Sequence, residues 1–149
     1  MNQRRYVFEY PSSLIHYNAH AFVVCCFDNR FWKASHSFIE RTGMPYIDLE
    51  SVAGGAKIFS SPEHESDADF MFRELEKSIR LHHTKKIMLF THHDCGAYGG
   101  FSRFDNNREK ELVFHKEEHE KAKASINVRF PGIAVETYFI DGQGIVSTS

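Results

Sequence analysis

Apolar residues gather in short runs separated by glycine, proline and charge, and their spacing changes along the chain. Ala21-Phe22-Val23-Val24-Cys25-Cys26 is continuously apolar, the pattern of a strand covered on both faces. Lys86 to Thr91 predicts a second such strand, and Ile133 to Ile140 another. Tyr46 to Leu49, extending toward Ala53, predicts a shorter strand that runs into Gly54-Gly55, where backbone turns tightly or approaches a ligand. Between these runs the period lengthens. Phe31 to Arg41 reads as a helix with Trp32, Ser35, Phe38 and Ile39 toward one side, stopped by Gly43 and Pro45. Ser66 to His83 is the plainest helix, with Met71, Phe72, Leu75 and Ile79 as its apolar stripe. Ser66 and Asp69 have capping-pair spacing, and the basic residues from His82 to Lys86 suit the negative end of the helix dipole. Asn107 to Ser125 predicts a charged helix whose Glu/Lys run is a solvated face, ended by Phe130-Pro131-Gly132. Residues 96–107 read as a loop. Asp141 to Gly144 is a turn from which Ile145-Val146 pairs back antiparallel.

Strands alternating with helices predict an α/β fold: a mostly parallel central sheet of about four strands, an antiparallel C-terminal edge strand, and helices on both faces. The 149 residues suit one domain over 1–149, with 1–20 a short lead-in broken at Pro11-Ser12-Ser13 and too short for a substantial helical arm. A net charge of -2 with acids and bases interspersed argues against nucleic acid or an anionic membrane surface as partner. No stretch approaches the roughly 20 apolar residues of a membrane span. The basic start, Met1 to Arg5, leads into Glu9 and Pro11 rather than a signal-peptide core. Three cysteines, two of them adjacent, make a poor disulfide framework and imply a reduced, cytoplasmic setting. Among the ten histidines, His64, His82, His83, His115 and His119 sit in polar stretches and are expected on the surface.

The candidate chemistry lies where apolar runs end. His92 and Cys95 stand at H-x-x-C spacing after one run, and Cys26 closes another. In a parallel sheet both positions are carboxyl ends of strands, where ligands bind. Two thiolates and an imidazole suit one Zn2+ per chain, and three protein ligands leave a fourth position free. On a strand Cys25 points away from Cys26 and is read as a buried hydrophobe. Asp28 and Arg30 follow Cys26 at alternate positions, so Arg30 is placed to hold Asp28 as a bidentate pair. Asp28 then stays ionised and accepts a hydrogen bond from the metal's water. If released, it could take the fourth metal position itself and shut the site. His93 diverges from His92 and reads either as a proton shuttle or as a partly exposed loop histidine.

Cys26-Phe27-Asp28-Asn29-Arg30, His92-His93-Asp94-Cys95-Gly96 and, more loosely, Ala53-Gly54-Gly55 together resemble the β-class carbonic anhydrases. The resemblance covers about Ala21 to Ile145. It implies reversible hydration of CO2 to bicarbonate and a proton through zinc-bound hydroxide. It implies Cys26, His92 and Cys95 as zinc ligands and Asp28 and Arg30 as the catalytic dyad. Gly96 would offer a backbone N–H to the bound anion. The family resemblance also implies a homodimer or higher homo-oligomer with sites near the interface. Ser51-Val52 stands where the family carries Arg-Asn, which removes polar groups beside the site. A relative hydrolysing COS or CS2 on the same fold, and a zinc-holding protein without catalysis, are the competing readings.

Overall fold

The two continuously apolar runs become neighbouring interior strands. The computed structural model describes residues 3–149, so Met1 and Asn2 of the lead-in lie outside the described residues. β1 (Ala21–Cys25) and β3 (Lys86–His92) pair in parallel, with every residue of β1 buried and only Lys86 of β3 reaching solvent. β2 (Ile47–Ser51) lies in parallel outside β1, and β4 (Ala134–Ile140) in parallel beside β3. β5 (Ile145–Ser147) closes the edge antiparallel to β4, giving the order β2-β1-β3-β4-β5. This is the predicted α/β sheet, with the antiparallel strand where the Asp141–Gly144 turn places it.

Alternation along the strands sorts the core into two layers. Phe22, Val24, Ile87 and Leu89 face α2 (Lys57–Ser60), α3 (Glu65–His82) and α4 (Arg108–Arg129), meeting Phe59, Met71, Phe72, Leu75, Ala122 and Ile126. Val23, Cys25, Met88 and Phe90 face the other way, onto Ile39 and Phe38 of α1 (Trp32–Arg41). Cys25 is therefore a core residue, as its strand position predicts. Gly43, at φ +73°, turns the chain out of α1 into β2.

The helices depart from expectation in three places. α3 begins at Glu65 after His64, which is extended and makes no side-chain cap; Ser66 already lies in the first turn, so the Ser66–Asp69 cap does not form. Glu65 and Asp67 in that turn suit the dipole instead. The 96–107 loop holds two 3-10 turns, Gly96–Tyr98 and Phe101–Phe104, and α2 is an added short helix. The largest correction concerns α4, capped by Asn107 accepting from the Lys110 N–H at 3.0 Å. Its Glu/Lys run is not wholly a solvated face. Glu111, His115, Glu118 and His119 are buried in line with Ala122 and Ile126. Buried carboxylates persist only when bonded, and Glu118 accepts from the Ser60 and Ser61 hydroxyls at 2.7 and 2.6 Å. His119 accepts or donates to Thr91 and Thr148 at 2.8 and 2.7 Å.

His82 is likewise half-buried, its Nδ1 donating to Asp48 at 2.8 Å, while His64 and His83 are exposed as expected. Asp48 also accepts from Tyr17 and Ser78, which anchors the end of the lead-in. Residues 3–16 carry no helix or strand. Tyr6, Val7, Phe8, Tyr10, Leu14 and Ile15 are all exposed. Among the described residues no helix is long and apolar enough to cross a membrane.

Candidate metal centre

β1 and β3 end side by side, and this brings the candidate ligands together. Cys26 directly follows β1, His92 ends β3, and Cys95 follows in the turn. One donor atom from each lies within 4.8 Å of the other two. His92 Nδ1–H donates to the His93 carbonyl at 2.8 Å, which leaves Nε2 as the free lone pair. Nε2 is buried and has no hydrogen-bond partner, and the imidazole is stacked on Phe31 at 4.6 Å between centroids. An orphaned buried acceptor facing two sulfurs fits a cation. The thiols lead to the same conclusion. Each sulfur's protonation depends on the other: a hydrogen bond from Cys95 holds the Cys26 thiol far below its usual range, and the facing Cys26 thiolate, with burial, pushes Cys95 up. Only a positive ion between them lets both be thiolates. The donor set of two sulfurs and one nitrogen fits zinc.

Asp28 lies beside this set, Oδ2 at 3.9 Å from His92 Nε2. Arg30 grips it in fork geometry, Nε to Oδ1 at 3.0 Å and Nη2 to Oδ2 at 2.7 Å, while the Arg30 backbone N–H reaches Oδ1 at 3.0 Å. These bonds lower the Asp28 carboxyl to about 2. The bidentate pair read from alternate positions is present, and in this arrangement Asp28 belongs to Arg30 rather than to the metal position. Gly96 opens the 3-10 turn after Cys95, exposed, with open space where a side chain would start.

The Gly54-Gly55 turn serves the site from behind. Gly55 has φ +54°, and a Cβ there would fall 2.1 Å from the Phe90 carbonyl and 3.1 Å from the Cys26 nitrogen. The close approach is to the strands that carry the candidate ligands, at Phe90 and Cys25–Cys26. A cleft of about 360 Å3 is lined by Val52, Ala53, Ile58, Phe70 and Ala97 together with Lys57, Glu63 and Asp67, and none of the candidate ligands borders it.

Three residues around the centre escaped the sequence reading. Asp94 binds Arg30 through Oδ2 at 3.2 Å and through its carbonyl at 3.1 Å. Glu111 pairs with His93 at 2.6 Å, so His93 is the partly exposed turn histidine of the second reading, with its Nδ1 engaged. His119 holds Thr91, next to His92. The signal for the last two was the recurrence of ionisable residues at 111, 115, 118 and 119, a helical stripe in polar dress.

The profile of a family described as "Putative carbonic anhydrase" matches residues 17–148. An uncharacterized protein of Rickettsia bellii is 24% identical over 131 residues, 86% of this chain and 80% of its own. The carbonic anhydrase structure from Streptococcus mutans has a TM-score of 0.62 at 15% identity, covering 93% of this chain and 88% of that one. A structure from a study of two tetrameric β-carbonic anhydrases of Sordaria macrospora gives 0.58 at 16% identity, covering 88% and 81%.

Proposed function

The chain belongs to the "Putative carbonic anhydrase" family, and from that premise we propose that it catalyses reversible hydration of CO2 to bicarbonate and a proton with one Zn2+ per chain. The observation that carries this reading is the junction of two features. Cys26, His92 and Cys95 converge with an orphaned Nε2, and an ionised Asp28, fixed by Arg30, stands beside them. A purely structural metal has no use for the second feature.

Bound zinc supplies Lewis acidity that makes water a nucleophile near neutral pH. The remaining work belongs to side chains. Cys26, His92 and Cys95 hold the ion. Asp28, kept unprotonated at any working pH by Arg30, accepts a hydrogen bond from the reacting water and orients it. Arg30, gripping both oxygens of Asp28, would keep that carboxylate off an ion held by the three donors. Gly96, exposed next to Cys95, offers its N–H to the product anion.

The same reading makes the chain a homo-oligomer. The exposed apolar residues of the lead-in support it, because a monomer seldom leaves so many large side chains uncovered in one segment. The tetrameric Sordaria enzymes support it as well. The free thiols of Cys25, Cys26 and Cys95 suit a reducing cytoplasm.

Stopped-flow CO2 hydration on zinc-loaded protein, beside Cys95→Ser, tests the activity. Zinc-dependent turnover lost in the variant is the expected result. Equal rates in the two proteins would sink the proposal, and stoichiometric zinc without turnover would leave a metal-holding protein. Light scattering on the intact chain and on a deletion of residues 1–15 tests assembly, with a fall in mass expected on deletion.

A further inference from the structure

We propose that Glu111 is a positioning residue: from the buried face of α4 it fixes the His93–Asp94 turn between two candidate ligands, and through Asp94 it holds Arg30 on Asp28. This rests on reading Cys26, His92 and Cys95 as metal ligands and Asp28 as the group that orients water.

Glu111 is 1% exposed, at a place in the α4 stripe that an apolar residue would fill without desolvating a charge. Its position makes sense only through what it binds. Oε1 accepts the Asp94 N–H at 2.8 Å, and Oε2 accepts from His93 Nδ1 at 2.6 Å. Both carboxylate oxygens are thus committed to the two residues that separate His92 from Cys95. His93 in turn carries the carbonyl that fixes the His92 tautomer.

Asp94 needs such an anchor. It is a non-glycine residue at φ +56°, a conformation L side chains rarely adopt. The turn this creates points Asp94 in two useful directions. Oδ1 accepts the Phe101 N–H at 2.8 Å, and Oδ2 with the carbonyl oxygen takes both terminal nitrogens of Arg30. Arg30 is therefore held on one side by Asp94 and on the other by Asp28. A guanidinium gripped from only one side is free to swing, and Asp28 with it. The chain of contacts Glu111, Asp94, Arg30, Asp28 runs without a gap from the buried face of α4 to the carboxylate beside the three candidate ligands.

The test uses the zinc-loaded full chain, labelled with 15N. The Nε–H signal of Arg30, identified by its absence in Arg30→Lys, reports the grip directly. In the wild type it should exchange with solvent at least tenfold more slowly than exposed arginines. Glu111→Ala should raise that exchange rate tenfold or more. Glu111→Leu, which fills the volume, provides a second folded protein without the carboxylate. Glu111→Gln keeps an acceptor for the Asp94 N–H and should stay within threefold of wild type. In CO2 hydration, Glu111→Ala should lower kcat/KM at least tenfold, but less than twofold when introduced into Arg30→Ala, because the route through Arg30 is already cut. A folded Glu111 variant with Arg30 still protected, or an equal loss in both backgrounds, overturns the proposal. Absence of any hydration activity would remove the functional reading, while the Arg30 signal would still decide the role of Glu111.

Discussion

If Cys26, His92 and Cys95 hold the ion as proposed, replacing the Cys95 sulfur by oxygen removes one of three donors and leaves His92 and Cys26 to hold it alone. Loss of a group that merely supports a ligand costs 10–100-fold in metal affinity, so Cys95→Ser is expected to cost more than about 100-fold. Chelator competition measures this directly, with zinc falling from one per chain toward none. Asp28 separates from the ligands under the same measurement. Asp28→Asn keeps the shape beside Arg30 and removes the charge. It should leave zinc affinity within tenfold and lower hydration kcat on the order of 100-fold, the range of a lost general-base contact. A parallel loss of zinc would make Asp28 a structural residue instead. Cys25, one position from a ligand but packed under α1, should tolerate Ala with zinc unchanged.

The elements succeed or fail through how closely they approach one another. Gly55→Ala drives a methyl into the Phe90 carbonyl at 2.1 Å, between the ends of the two strands that carry the ligands. The expected cost is roughly 3 kcal/mol, from clash and left-handed strain together. Gly43→Ala, also left-handed but with open space around it, should cost only about 1 kcal/mol. Urea unfolding of the two variants compares them. The contrast also shows what could be read from the chain beforehand. β1 and β3 were legible because a strand buried on both faces must be continuously apolar, and they alone decide where Cys26, His92 and Cys95 meet. The Asp28–Arg30 pair was legible because its two-residue spacing is local. The inner face of α4 was not. Burial there is achieved by pairing Glu111 and Glu118 with donors from distant elements, His93 and Ser60. Periodicity weighs polarity and cannot register a partner far away in sequence. The Asp94 contact was hidden for the same reason: the guanidinium it binds lies 64 residues earlier.

For the molecule as a whole, the buried histidines of α4 set a pH limit on stability. Burial pushes His115 down to about 3 and His119 down to about 4, against about 6.5 in an unfolded chain. The folded state therefore binds fewer protons than the unfolded state in mildly acidic solution. Stability is complete above about pH 6.5 and is lost as pH falls toward 4. Each histidine accounts for on the order of 2 kcal/mol between pH 6.5 and 5. Denaturant unfolding of the metal-free chain across this range should show the decline, and His115→Phe should flatten it. Asp48, bonded to Ser78, Tyr17 and His82, titrates below its ordinary range, so its share of the acid sensitivity appears only at lower pH.

Cys26 and His92 sit at the ends of β1 and β3, while Cys95, the Asp28–Arg30 pair and the Asp94 turn lie in the loops beyond, and this also divides the site by how often its parts open. Amides in strands buried on both faces exchange their hydrogens only when the entire fold opens, whereas loop amides exchange through small local excursions. Deuterium uptake should accordingly be slowest at Val23, Val24, Met88 and Leu89, and much faster across residues 96–107. Cys26 and His92 would then be fixed on the clock of global unfolding, while Cys95, in the turn, would open on a shorter one. An ion held this way would leave through the Cys95 turn, long before the sheet gives way.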